Sequence, residues 1–298
     1  MASKLTLTNS AVHTFFECPR RYYWRYVRGL DLSVLPWYME VGSYFSKGLE
    51  VGAKTGDTQK AISAIPAATD AGLIARFLVE MYLYNHRATE PWKVLDAEIE
   101  FRVSVGKDII LRGKIDGVVE QGGEHWILER KTTGFIDPQY LEKVRLDKQI
   151  TTYMYGLSRC AGSRWRDIVG AIYDVTARPA KYRRKDESAA EWLGRCTEDY
   201  VTDPDNHFAT QKAYRSKDEL AAFEQELVTT AALIRTCHKM KCFPHQDARF
   251  CFQRNRKCPY VTLCTEGETD RAMMNYVFRS PFSELSSEEG ETSGGGEE

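Results

Sequence analysis

The sequence predicts an α/β fold: a mixed central sheet flanked by helices, with a helical, cysteine-bearing lobe made from both ends of the chain. Three observations carry this. Strand-like apolar runs cluster between residues 94 and 131 and return at 168–175, while helical periodicity fills the flanks. A Gly122-Gly123 pair separates two of those runs as a tight hairpin turn. Finally, a Cys-Pro step near the N-terminus faces, in composition, a crowd of cysteines near the C-terminus.

Asn9 or Ser10 caps a first helix that runs through Cys18 to about Val27. A second helix is expected over Met39–Ala53 and a third over Thr69–Asn85. Three strands follow, Val94–Val105, Ile109–Val119 and His125–Lys131. A helix over Leu141–Cys160, a strand over Ile168–Val175, and helices over Glu187–Val201 and Lys217–Lys239 complete the series. No internal repeat or linker interrupts residues 1–279, which are read as one domain. Residues 280–298 read as a flexible acidic tail.

Apolar residues at 43% and aromatics at 12% exclude a disordered chain, and 298 residues suffice for one large core. The net charge of −1 seems unsuited to a polyanionic partner. Residues 284–298 hold six glutamates and no base, and without them 41 basic residues face 36 acidic ones, a balance of +5. No leader and no apolar run of about twenty residues is visible, so a cytoplasmic, reduced chain with no membrane association is expected.

The run Trp126-Ile127-Leu128-Glu129-Arg130-Lys131 places Glu129 and Lys131 on one face of a strand, and the hairpin brings Asp116, thirteen residues upstream, beside Glu129. Two carboxylates and an ammonium at one point suit a hard divalent cation and a phosphate. A salt bridge on an edge strand is the ordinary alternative. Gln149 and Tyr153 share one helical face downstream.

In this order, Gly113-Lys114-Ile115-Asp116-Gly117, Glu129-Arg130-Lys131-Thr132-Thr133-Gly134 and Gln149-x-x-x-Tyr153 resemble the PD-(D/E)xK nuclease superfamily, in particular its RecB-like branch. The resemblance implies a restriction-endonuclease-like fold and Mg²⁺- or Mn²⁺-dependent hydrolysis of DNA, foremost from single-stranded ends, in recombination, repair or phage DNA processing. It implies metal ligation by Asp116, Glu129 and the carbonyl of Arg130. It gives Lys131 the attacking water and sets Gln149 and Tyr153 toward the DNA. A helicase or recombination partner accompanies such proteins. The branch carries a histidine on an upstream helix where this chain has Ser46, within Gly42-Ser43-Tyr44-Phe45-Ser46; Glu50, one turn on, is the candidate substitute ligand. That departure keeps open a second reading, a weakly active or inactive nuclease-like subunit that binds DNA or supports assembly.

Eight cysteines in a reducing compartment read as metal or cluster ligands more readily than disulfides. Cys251, Cys258 and Cys264 lie in one stretch, and Cys18-Pro19 opens a helix followed by Arg20, Arg21, Tyr22 and Tyr23. This pattern resembles the iron–sulfur nucleases of the AddB and CRISPR-adaptation types. The resemblance implies a [4Fe–4S] cluster on Cys18, Cys251, Cys258 and Cys264, with Zn²⁺ as the alternative and Cys242 as a replacement ligand. Cys160, Cys196 and Cys237 are expected to be buried apolar residues. Basic residues interleave with aromatics around Arg20–Tyr26, in Lys181-Tyr182-Arg183-Arg184-Lys185, and at Arg249, Arg254, Arg256 and Lys257. The middle group, with Arg183, Arg184 and Lys185, is the candidate strand contact. For the first group, core packing of Tyr22 and Tyr26 is the better account.

Overall fold

A computed structural model describes residues 4–89, 91–160, 164–165, 167–253, 256–283 and 285. Arg254 and most of the expected acidic tail, from residue 286 on, lie outside the described residues.

In chain order, β1 (Leu5–Leu7) leads into α1 (Asn9–Glu17), α2 (Pro19–Tyr22) and a π-turn over Tyr23–Val27, then β2 (Leu30–Leu32). Helices α3 (Trp37–Thr55), α4 (Thr58–Ser63) and α5 (Asp70–Thr89) precede strands β3 (Lys93–Val105), β4 (Ile109–Gln121) and β5 (Glu124–Thr133). Next come α6 (Pro138–Glu142), α7 (Lys148–Arg159), β6 (Ile168–Ala177), α8 (Ala189–Thr202), β7 (Phe208–Ala213) and α9 (Lys217–Lys239). Short pieces close the chain: α10 (Ala248–Cys251), β8 (Phe252–Gln253), β9 (Arg256–Lys257), α11 (Val261–Glu266), α12 (Asp270–Met273) and β10 (Tyr276–Phe278).

Within the span expected as one domain, two compact units are distinguished: Leu35–Val103 with Lys114–Glu224, and both chain ends with Ser104–Gly113. In the first, β4 and β5 are antiparallel, β5 and β6 parallel, and β6 and β7 antiparallel, so the sheet is mixed as expected. The hairpin between β4 and β5 turns on Gly122 (φ +63°) and Gly123 (φ +79°), a pair of left-handed residues that matches strand twist and fixes the register. With β4 on one side and β6 on the other, β5 is a central strand, and Trp126, Ile127, Leu128 and Glu129 are all buried.

Helix α7 covers one face of this sheet, where the Tyr153 and Phe101 rings meet edge to face at 6.2 Å. Helices α3 and α5 cover the other. There Tyr82 of α5 donates to Asp174 Oδ2 of β6 at 2.6 Å, and the Arg130 guanidinium lies 6.0 Å from the Tyr82 ring centre. Val41, Phe45 and Leu49 of α3 pack with Ala75, Leu78 and Tyr82 of α5, stripes spaced by four on α3 and by three and four on α5.

The second unit joins the two ends of the chain. Leu5–Leu7 pair in parallel with Ile109–Leu111, and β2 pairs antiparallel with β10. Tyr22 and Tyr26 are both buried, 5.2 Å apart at their ring centres, as the packing account expected. Arg20 donates its Nε to Phe243 O at 2.8 Å and Arg21 pairs with Glu17, so these two arginines of the first basic group make contacts inside this unit. Tyr260 donates to Leu30 O at 2.9 Å and stacks on Tyr276, tying the C-terminal segment to β2.

Two expected helices are broken. The one expected to run from Asn9 or Ser10 through Cys18 is capped by Thr8 and stops at Glu17, because Cys18 is extended before Pro19, and it resumes as α2 and the π-turn. The helix expected over Leu141–Cys160 is broken: a 3₁₀ turn covers Lys143–Leu146, and the helix restarts only at Lys148. Asp147 adopts an extended conformation and accepts the Gln149 N–H at 2.8 Å, an N-cap that stops one helix and begins another. Among the described residues no helix is long and apolar enough to cross a membrane.

Candidate functional site

The site is built at a fork. The β4–β5 ladder runs from Gln121 opposite Glu124 to Gly117 opposite Leu128. At the next position the Asp116 carboxylate accepts the backbone N–H of Arg130 at 2.8 Å, which holds Asp116 beside the Glu129-Arg130 peptide. Glu129 is 1% exposed. Its Oε1 pairs with the Lys131 ammonium, and its Oε2 is buried without a partner. Burial and the neighbouring Asp116 charge push the Glu129 carboxyl up to about 8, with Asp147 adding to the effect. Burial works against the Lys131 ammonium, yet the Glu129 and Asp116 carboxylates raise it above the ordinary lysine range. Once Glu129 ionises, two carboxylates face the single Lys131 ammonium. The orphaned Glu129 Oε2 and the adjacent Asp116 fit a hard divalent ion, whose charge would relieve both.

Gln149 and Tyr153 arrive from the first turns of α7. Gln149 donates its side-chain amide to the Tyr153 hydroxyl at 2.6 Å. Burial and then the Glu129 charge hold the Tyr153 hydroxyl well above the usual phenol range, with Lys131 and Asp116 also acting on it. Asp116, Glu129, Lys131, Gln149 and Tyr153 are therefore brought together.

Glu50 is not. Its oxygens are taken by Lys47 at 3.0 Å and Lys54 at 2.5 Å on its own helix, and the hydrogen bond from Lys54 leads in lowering its carboxyl despite partial burial. Its charge reaches Lys114 of β4, but among the described residues it forms no three-carboxylate group with Asp116 and Glu129. The Gly42 face of α3 does approach β5, since a Cβ built there would meet Thr132 Oγ1 at 3.4 Å. Ser46 lies one turn beyond on that face.

Three neighbours escaped the sequence reading. Burial leads in raising Glu129, Tyr140 and Tyr173, the Asp147 charge adds to each, and the two tyrosines share a hydrogen bond. Asp147 carries a recognisable signal, an Asp just before a helical Gln, which the assumption of one continuous helix concealed. The two tyrosines reach the site through tertiary packing and leave no local pattern.

A model of the PD-(D/E)XK nuclease superfamily matches residues 6–265. The chain belongs to the PD-(D/E)XK nuclease superfamily. Its members are nucleases, and their chemistry is hydrolysis of nucleic-acid phosphodiesters, generally with Mg²⁺ or Mn²⁺. No curated protein matches the chain. Among solved structures, the crystal structure of SSO0001 is 14% identical, with a TM-score of 0.28, over 68% of this chain and 78% of that one. A likeness at that level carries no argument.

In this superfamily member the four singled-out cysteines fall together. Cys18, Cys251, Cys258 and Cys264 all line one cavity of about 290 Å³, which Arg21, His245 and Tyr260 also border. Burial leads in raising the Cys251 and Cys258 thiols, and each also feels Cys18. Cys258 donates its N–H to Cys251 O at 2.7 Å, closing the intervening loop. Even so, among the described residues no three His, Cys, Asp or Glu side chains form a group able to hold a single metal ion. Cys242 is exposed and does not line the cavity. Cys196 is buried as expected, but Cys160 and Cys237 are only half-buried.

The basic run after β6 is presented to solvent. Arg183, Arg184 and Lys185 are exposed, and Tyr182 is 94% exposed. Its backbone is pinned from α8, with Trp192 donating to Lys181 O at 2.7 Å and Arg195 to Tyr182 O at 2.9 Å. Arg183 donates to Glu187 O at 2.8 Å.

Proposed function

We propose that this nuclease hydrolyses DNA, acting as an exonuclease on single-stranded ends, with Mg²⁺ or Mn²⁺ held by Asp116, Glu129 and the Arg130 carbonyl. The observation that carries the reading is the unpartnered, buried Glu129 oxygen beside a second carboxylate and a lysine. Bound there, a divalent ion supplies a more acidic water and offsets charge on the scissile phosphate. Lys131 orients the attacking water and stabilises the charge that develops on phosphoryl oxygen. Gln149 and Tyr153, already bonded to one another, offer donors to the phosphate. Arg183, Arg184 and Lys185 contact the strand backbone on a loop whose shape α8 maintains.

The four cysteines Cys18, Cys251, Cys258 and Cys264 around one cavity support a [4Fe–4S] cluster, with Zn²⁺ as the alternative on the same thiolates. Its role would be to fasten the two chain ends, because closing so long a loop constrains the unfolded chain.

The test is a digest of end-labelled single-stranded and duplex oligonucleotides. Cleavage that requires a divalent ion, and that Lys131→Ala lowers by about 10²–10³-fold, supports the reading. A second reading, a subunit that binds DNA without cutting it, is favoured by Ser46 and by the engagement of Glu50 with two lysines. It predicts binding with no cleavage in either metal.

A further inference from the structure

Beyond the metal fork, the end of the central strand β5 carries aromatic surface with no part in hydrolysis. Thr133 continues the Glu129, Lys131 face of β5, and its Oγ1 donates to Phe135 O at 3.0 Å, which fixes the turn that follows. Phe135 at its crest is 70% exposed. Across the strand end, Arg178 donates its N–H to Thr133 O at 2.7 Å. Its guanidinium lies 5.4 Å from the ring centre of Trp37, at the start of α3, and Trp37 is still 55% exposed. Gly134 permits this: a Cβ there would meet Arg178 Nη2 at 3.2 Å. The turn that carries Phe135 and the Trp37–Arg178 pair are therefore both tied to Thr133, two residues past Lys131.

The geometry points to a stacking platform for an unpaired DNA base, formed by Trp37, Phe135 and Arg178 beside the hydrolytic fork. The exposed rings have a use for a single strand and little for an intact duplex. Exposed rings offer faces to bases, which a duplex keeps within its own stack. The guanidinium favours a polyanion and can itself stack. Continuity with Lys131 puts a base resting here within a short reach of a phosphate at the fork. The platform rests on the nuclease reading and gives its single-strand preference a set of residues outside the hydrolytic fork.

The test uses the full chain in chelator, so that no strand is cut, with fluorescence anisotropy of labelled single-stranded and blunt duplex oligonucleotides and with 2-aminopurine in the single strand. Trp37→Ala and Phe135→Ala are each expected to weaken single-strand binding by roughly 5- to 100-fold and to abolish the 2-aminopurine quenching, with duplex binding changed less than about twofold. Trp37→Tyr should restore most of the loss. Single-strand affinity unchanged in both alanine variants, or an equal loss on duplex, would overturn the proposal. If Trp37→Ala fails to fold, Phe135→Ala on its exposed turn carries the test alone. Because binding is read without metal, its outcome is independent of whether metal-dependent cleavage is found.

Discussion

The Asp116 carboxylate accepts the Arg130 backbone N–H at 2.8 Å, at the point where β4 and β5 cease to pair. That bond does what the next ladder bond would have done, and it leaves a charged group where a peptide would otherwise sit. The same residue thus ends the hairpin and furnishes half of the acidic pair.

Asp116→Asn and Asp116→Ala should therefore separate. The asparagine oxygen can keep the Arg130 N–H bond, so its stability should stay near wild type while cleavage falls at least about 10²-fold. Alanine loses both, and urea unfolding should show a further cost of about 1–3 kcal/mol.

Glu129→Gln should stabilise the metal-free protein in a pH-dependent way. The folded carboxyl is raised from 4.5 to about 8, so the folded state disfavours its ionised form. Its contribution to stability is full below about 4.5 and is lost as pH rises toward 8. In chelator, the urea midpoint of Glu129→Gln should exceed wild type at pH 8 and converge with it at pH 5. An equal offset at both would contradict the assignment.

The buried Tyr82–Asp174 bond gives a second pH signature. Burial raises Asp174 to about 6 even though Tyr82 and Arg130 favour its ionised form. Its contribution is full below about pH 4 and declines as pH rises through 6. Tyr82→Phe removes the donor, so it should cost about 1–3 kcal/mol at pH 7.5 and distinctly less at pH 5.

Much of this was legible beforehand. The three strands from 93 to 133 and the 217–239 helix stand out because their periodicity is long and their turn is a Gly-Gly pair. The trio of Asp116, Glu129 and Lys131 follows from strand alternation plus one hairpin, both local properties. β7 and the β2–β10 pair were missed because three to six residues carry too little pattern, and only their partners make them strands. Glu50 is paired with Lys47 and Lys54, each one helical turn away, an engagement that helical spacing itself makes readable.

Packing on the α7 side of the sheet should be sensitive to a single methyl. A Cβ at Gly156 would meet the buried Phe101 ring at 2.3–2.5 Å. Gly156→Ala should destabilise by about 1–3 kcal/mol. It should also lower cleavage, because the displaced helix carries Gln149 and Tyr153. Thermal melting with a parallel digest checks both.

The most direct test of the acidic fork is calorimetric titration of Mn²⁺ into the wild type, Asp116→Ala and Glu129→Gln at pH 8. The account predicts saturable binding to the wild type, accompanied by proton release from Glu129, and its loss in both variants. Undiminished binding in both variants, or none in the wild type, would contradict it.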